Sequence, residues 1–119
     1  MFKVINVTKE CTLARRAKPA FSFSRRLIGL LGRRSLLEEE GLIIEPCLSV
    51  HTFFMRFSID VVFYDRSRIV IAVFSNLTPF RVTPVLKSAL GVVELPKGTI
   101  LFSQTEIGDQ LSFDAASDR

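Results

Sequence analysis

The residues best equipped for chemistry sit in one stretch, Pro46-Cys47-Leu48-Ser49-Val50-His51-Thr52-Phe53-Phe54-Met55-Arg56-Phe57-Ser58-Ile59-Asp60-Val61-Val62-Phe63. It holds the single His of the chain, one of its two Cys, and an Arg and an Asp set among apolar residues. A charge buried in such surroundings is costly unless it is paired. Arg56 and Asp60 therefore each need a partner. In one straight strand they would lie about 13 Å apart, so they meet only if the chain bends near Ser58. The plainest expectation is an ion pair or hydrogen-bond network that fixes this bend, because buried polar groups are usually satisfied internally. The functional alternative is a pocket with a polar base and aromatic walls.

Catalysis would ask for more. Cys47 and His51 could serve as nucleophile and base if the loop folds back, and a hydrolase could instead use His51 with Asp60. Neither a third orienting group nor an oxyanion site is visible, and a small Cys is more often simply buried. Cys47, His51 and Asp60 lack the spacing of a metal site, and no cofactor is expected. Glu94, in Val92-Val-Glu-Leu-Pro96, is another acid in an apolar strand; on an alternating strand it would face outward. Asp109 follows Gly108 and reads as a turn residue.

The elements that must position these residues are mostly strands. Phe2–Val7 alternates as a strand, and residues 10–21, basic and with Pro19, read as a loop. Ser22 and Ser24 are N-cap candidates for a short amphipathic helix through Leu31. That helix turns Phe23, Leu27, Ile28, Leu30 and Leu31 to one side and Arg25, Arg26 and Arg33 to the other. Gly32 would end it, and 35–41 is turn-like. Leu42-Ile43-Ile44 is a buried strand stopped by Pro46. Thr52–Phe57 and Ile59–Tyr64 read as consecutive strand segments, and 59–74 as a hairpin turning at Asp65-Arg66-Ser67-Arg68. A short edge strand is expected at Phe80–Thr83, a strand at Ala89–Leu95, a helical turn over 99–105 and a last strand at Gln110–Phe113. Residues 1–113 then form one globular domain and 114–119 a flexible tail.

Ile69-Val-Ile-Ala-Val-Phe74 is apolar on both faces, so its sheet must be covered on both. One short helix cannot cover so many strands. The fold expected is mainly β with a little α: a small, mostly antiparallel β-barrel-like or folded-sandwich domain. Eleven Phe, one Tyr and no Trp suit a core packed with aromatic rings.

Charge is uneven. Residues 1–34 carry nine Lys/Arg against one Glu, and the remainder seven Lys/Arg against eleven acids. Such a basic third is either a solvated surface or a footprint for an acidic partner, centred on Arg25, Arg26, Arg33 and Arg34. Nucleic acid is not expected, because no aromatics for stacking are evident between these cations or beside Arg15, Arg16 and Lys18. No apolar run approaches the roughly 20 residues needed to span a bilayer, and the amino terminus is too charged for a signal peptide. Both observations, with two cysteines in neither zinc nor redox spacing, point to the cytoplasm.

Taken in order, Arg26-Leu-Ile-Gly-Leu-Leu-Gly32, Glu40-Gly-Leu42, Pro46-Cys-Leu-Ser-Val-His-Thr-Phe53, Met55-Arg-Phe-Ser-Ile-Asp-Val61, Phe63, Glu94-Leu-Pro-Lys-Gly-Thr99 and Gly108-Asp109 resemble the bacterial and archaeal family called domain of unknown function 192. The resemblance runs from about Phe2 to Phe113, and its specific part is the His-Thr-Phe-x-Met-Arg-Phe-x-Ile-Asp block. It implies a small β-rich fold and no established reaction, cofactor or substrate. By position it falls on His51, Met55, Arg56, Asp60, Glu94 and Asp109, without assigning them roles. The reading is a non-catalytic module binding a small molecule or peptide through segment 47–60, with His51, Met55, Arg56, Asp60 and Glu94 as its binding residues. The alternatives are a hydrolase using His51 with Asp60 or Cys47, and an interaction module with a basic helix.

Overall fold

A sheet whose strands are apolar on both sides needs two cores, and this chain builds both. The computed structural model describes residues 1–20, 39–53 and 55–115. In chain order they form β1 (Phe2–Asn6), β2 (Cys11–Ala20), β3 (Glu40–Ile44), β4 (Ile59–Tyr64), β5 (Val70–Leu77), β6 (Gly91–Pro96), the short helix α1 (Thr99–Ser103) and β7 (Leu111–Ala115). The strands make one sheet in the order β5-β4-β6-β3-β2-β1-β7. The β2–β3 pairing is parallel and the rest are antiparallel. The sheet curls into a half-barrel, and its two edges meet at one end. There Val70 N–H donates to the Asp109 carbonyl at 2.9 Å, Gly108 N–H to Val70 at 2.8 Å and Leu111 N–H to Arg68 at 2.8 Å.

Every strand contributes to the inner core, from Val4, Leu13 and Ile43 through Val62, Tyr64, Val70 and Leu95 to Leu111, and Ile100 of α1 joins them. The outer core is narrower. It packs Ile44, Ile59, Val61, Phe63 and Val92 against Val50, Met55 and Ala89 from outside the strands. Fully burying each such aliphatic side chain stabilises the fold by about 1.5–3 kcal/mol, so burial of Val50 and Met55 ties their excursion to the sheet.

The mainly β, mostly antiparallel architecture is as expected, and so is the 59–74 hairpin. Its turn is closed by Arg68 N–H on the Asp65 carbonyl at 2.9 Å and by Asp65 Oδ1, which accepts from Ser67 and Ile69 N–H. The helical turn expected over 99–105 is α1. The amphipathic helix expected from Ser24 to Leu31, with Arg25, Arg26, Arg33 and Arg34, lies outside the described residues.

Two expectations are corrected. Residues 10–21 are not a loop: Cys11–Ala20 is a ten-residue strand. Its period is disguised because the β1–β2 register slips twice between Phe2 and Ile5, so Leu13, Ala14, Ala17 and Ala20 are buried while Arg15, Arg16 and Lys18 are exposed. Pro19 is tolerated because β1 pairs no further along β2 than Ala17, which leaves Pro19 a sheet neighbour only in β3, opposite Ile43. The second correction is Thr52–Phe57, which turns and bends instead of continuing as a strand. The last strand also runs further than expected, pairing Asp114 with Lys3 and Ala115 with Phe2.

Candidate functional site

Thr52 explains why the 47–57 segment leaves the sheet. Its buried hydroxyl donates to the Thr78 carbonyl at 2.6 Å and accepts from Arg81 N–H at 2.9 Å. Its carbonyl accepts from Met55 N–H and from Phe80 N–H, both at 3.2 Å. The hydroxyl's partners lie 26 and 29 residues away, and with the carbonyl's bond from Met55 N–H they hold the turn that ends the extended run after His51. Upstream, a narrow ribbon joins 48–52 to 80–86. Thr52 N–H donates to Arg81, Thr83 N–H to Val50 and Leu86 N–H to Leu48, at 2.8–2.9 Å. Thr83 Oγ1 accepts from Val50 N–H at 2.9 Å, and Ser49 Oγ donates to the Thr83 carbonyl at 2.9 Å. Pro79 and Pro84 bracket the second half and lack the donors a full strand would use. The edge strand expected at Phe80–Thr83 is therefore reduced to a single bridge, Val82 opposite His51.

That bridge sets His51 opposite Val82, and the turns that follow Thr52 and precede Arg81, the latter with Phe80 at a left-handed φ of 63°, bring Phe53 and Phe80 together. The rings confirm it. His51 stacks on Phe53 with centroids 5.4 Å apart, and Phe53 meets Phe80 at 6.4 Å. These apolar groups face water: Phe53 is 39% exposed, Val82 58% and Phe80 68%. Arg56 and Arg81 are also exposed. The result is an aromatic and aliphatic surface carrying the imidazole, with guanidinium groups in the same two segments and a hydrogen-bonded frame beneath.

The sheet separates the other candidates. Asp60 is opposite Leu95, and Glu94 opposite Val61. Cross-strand partners share a face and successive residues do not. Asp60 thus faces the inner core with Leu95, whereas Glu94 faces the outer side with Val61 and Met55. Asp60 is fully buried, and both of its oxygens accept backbone donors: Oδ1 from Asn76 N–H and Oδ2 from Ile100 N–H, each at 2.8 Å. The first bond serves an irregularity in the β4–β5 register, where Asn76 takes a left-handed φ of 55°. The second supplies the start of α1 with an acceptor that its own N-cap, Gly98, does not provide.

An Arg56–Asp60 ion pair is accordingly not formed. The buried carboxylate is satisfied by amides reached across the sheet, and Arg56 stays in solvent. Glu94 lies on the outer side of the sheet but does not reach solvent as expected; it is fully buried, because β6 has β3 on one side and β4 on the other and the outer core covers its face. Met55 is buried in that same core. The Cys47 thiol donates to the Ser49 carbonyl at 3.2 Å, and neither Cys11 nor Cys47 is in a disulfide.

Asp109 belongs to a third group, which sequence reasoning treated only as a turn. Its carboxylate accepts from Asn6 Nδ2 at 2.9 Å, from Glu106 N–H at 3.0 Å and from Lys9 Nζ at 3.0 and 3.1 Å. Burial pushes this carboxyl up, but the hydrogen bonds from Asn6, Glu106 and Lys9 outweigh it and hold it below the ordinary value of 3.8. Tyr64 is the opposite case. Burial, with the Glu45 carboxylate that accepts its hydroxyl at 2.6 Å, drives the phenol far above its usual range. It stays a protonated donor, with Arg68 against its ring and that of Phe113. Sequence reasoning also missed Phe80 and Val82 as surface residues. The available signal was two apolar residues two apart in a segment bounded by prolines.

Among the described residues, no helix is long and apolar enough to cross a membrane. The family model of DUF192, described as an "Uncharacterized ACR", matches residues 4–113. The UPF0127 protein of Thermococcus sibiricus is 33% identical over 120 residues, covering 98% of this chain and 77% of that protein. The UPF0127 protein PF1050 of Pyrococcus furiosus is 32% identical over 114 residues, covering 93% and 97%. Among solved structures, a Novosphingobium aromaticivorans protein of unknown function superposes with a TM-score of 0.78 at 21% identity, over 93% of this chain and 82% of that one. A candidate transcription regulator from Sinorhizobium meliloti gives 0.76 at 18%, over 94% and 91%. At these identities the structural likeness speaks for the fold alone.

Proposed function

The chain belongs to the DUF192 family, an uncharacterised one, and we propose that within it this protein is a non-catalytic module that binds an extended peptide through the surface built on segment 47–60. One observation carries the reading: Phe53 and Phe80 stand exposed and in ring contact on a ribbon fixed by short hydrogen bonds. Clustered exposed apolar side chains on a rigid frame mark interaction sites more often than scattered ones do. The frame also lowers the entropy that binding must overcome. The exposed Arg56 and Arg81 favour a peptide that alternates apolar anchors with acidic residues. A hydrolase would need an acid or thiol poised beside His51; Asp60 has both oxygens engaged on the inner side of the sheet.

The test is selection from a displayed random-peptide library, followed by affinity measurement on the selected sequences. Enrichment of aromatic or aliphatic residues interleaved with Asp and Glu is expected. Phe80→Ser and Phe53→Ser should each weaken binding by roughly thirtyfold, the size of a typical anchor contribution of about 2 kcal/mol. Selected peptides that bind both variants as tightly as the parent would overturn the proposal, and so would a selection that yields no consensus.

A further inference from the structure

A cleft of about 440 Å³ opens between β2 and the turn into α1, sharing no residue with the aromatic surface. Small-molecule sites run from roughly 300 to 1,000 Å³, so this one has room for a single ring and its substituents. Leu13 and Pro96 give it apolar walls, Thr12 a hydroxyl, and Phe102 a ring. Phe102 is 85% exposed. The reason lies in α1, whose single turn buries Ile100 and Ser103 and so faces the residues between them away from the core. Folding makes little use of the Phe102 ring, which leaves its face free beside the cleft.

The charge around the cleft is specific. Two ionic side chains line it, Glu39 and Lys97. The Glu39 carboxylate is already ion-paired, accepting from Arg15 Nε at 2.8 Å. Lys97 is exposed and makes no ion pair with the described residues. One exposed ammonium without an ion pair among the described residues, an open aromatic face and two apolar walls describe a site for a planar anion. A cationic ligand would meet Lys97 and find the acid already paired.

We infer that this cleft is a second binding site, one that takes a small aromatic carboxylate with its ring against Phe102 and its carboxylate at Lys97. The site is independent of the peptide-binding surface. An amide-resolved NMR titration of the full chain with phenylacetate tests it, with phenylacetamide as the uncharged probe and phenethylamine as the cationic one. Phenylacetate should shift the amides of Thr12, Leu13 and residues 97–102 saturably, in the millimolar range that suits about ten non-hydrogen atoms. The other two probes should bind several-fold more weakly, and added salt should weaken phenylacetate. Phe102→Ser and Lys97→Gln alter exposed side chains, so a spectrum otherwise like the parent's will show that each variant is folded. Each should reduce phenylacetate affinity by about threefold, or about 0.65 kcal/mol by the usual conversion. The inference fails if no saturable shift occurs below about 20 mM, a concentration well above that range. It fails equally if the shifts map to Phe53 and Phe80, if phenylacetamide binds as well as phenylacetate, or if either variant binds unchanged.

Discussion

The two halves of segment 47–63 have the same texture in sequence, polar residues embedded in apolar ones, and opposite fates in the structure. In the second half, every residue of β4 from Ile59 to Tyr64 is buried, and the one charge, Asp60, is satisfied by two backbone amides. In the first half the buried polar group is Thr52, which turns the chain out of the sheet and leaves Phe53 exposed. A buried carboxylate between two core layers serves the architecture. A buried hydroxyl at the start of a turn presents neighbouring side chains to solvent. The difference shows that unusual burial of a polar group does not by itself mark a site; what matters is whether its bonds close the frame or expose a surface.

The strongest way to break this contrast is at Asp60. Replacing it with Ala strands the N–H groups of Asn76 and Ile100, at about 1–3 kcal/mol for each buried donor left unsatisfied. Asn keeps one acceptor and aims an amide N–H at the other donor, so Asp60→Asn should cost about half as much. Denaturant titration measures both, and a change within about 0.5 kcal/mol, the range of inconsequential surface sites, would mean that Asp60 is free for ligand chemistry. At Thr52, Thr52→Val keeps the shape and removes the hub. A loss of about 1–3 kcal/mol is expected, together with faster hydrogen exchange at the Thr83 and Leu86 amides that hold the ribbon. If exchange there is unaltered, Thr52 does not frame the aromatic surface.

Asp109 extends the comparison to pH. Its folded-state pKa lies below the unfolded value near 3.8, so the unfolded chain binds the proton first. The stability it contributes is fully present above that value and is lost as the pH falls through the lower folded-state value. Denaturation midpoints taken from neutral pH into this acid range should fall for the parent. For Asp109→Asn they should begin lower and decline less steeply. Equal acid slopes would show that the Asn6–Lys9–Asp109 group carries no coupled proton. The smallest effect belongs to the exposed side. Phe80→Ser should alter stability by no more than about 0.5 kcal/mol, because the ring lies mostly in water; a loss several times larger would make Phe80 part of the core and remove it from any docking surface.

Some of this was written locally in the chain and some was not. Short alternating strands, the Asp65–Arg68 turn and the doubly apolar 69–74 run were legible, because each depends on side-chain period or turn chemistry within a few residues. From these the curled, mostly antiparallel sheet followed. Strand β2 was hidden, since its pattern of Ala and Arg makes sense only once the slipped register against β1 is known. The partners of Asp60 lie 16 and 40 residues away, and those of Asp109 reach back to Asn6 and Lys9; no spacing rule connects such positions. The exposure of Phe53 and Phe80 was equally out of reach, because apolar residues in a strand-like run read as core until the bonds of Thr52 to a segment 26 and 29 residues away turn them outward. The sequence by itself determined which residues alternate, turn and must be covered. Only the tertiary structure decided which polar groups are satisfied across the sheet and which apolar groups are left at the surface, because both depend on pairings between segments far apart in the chain.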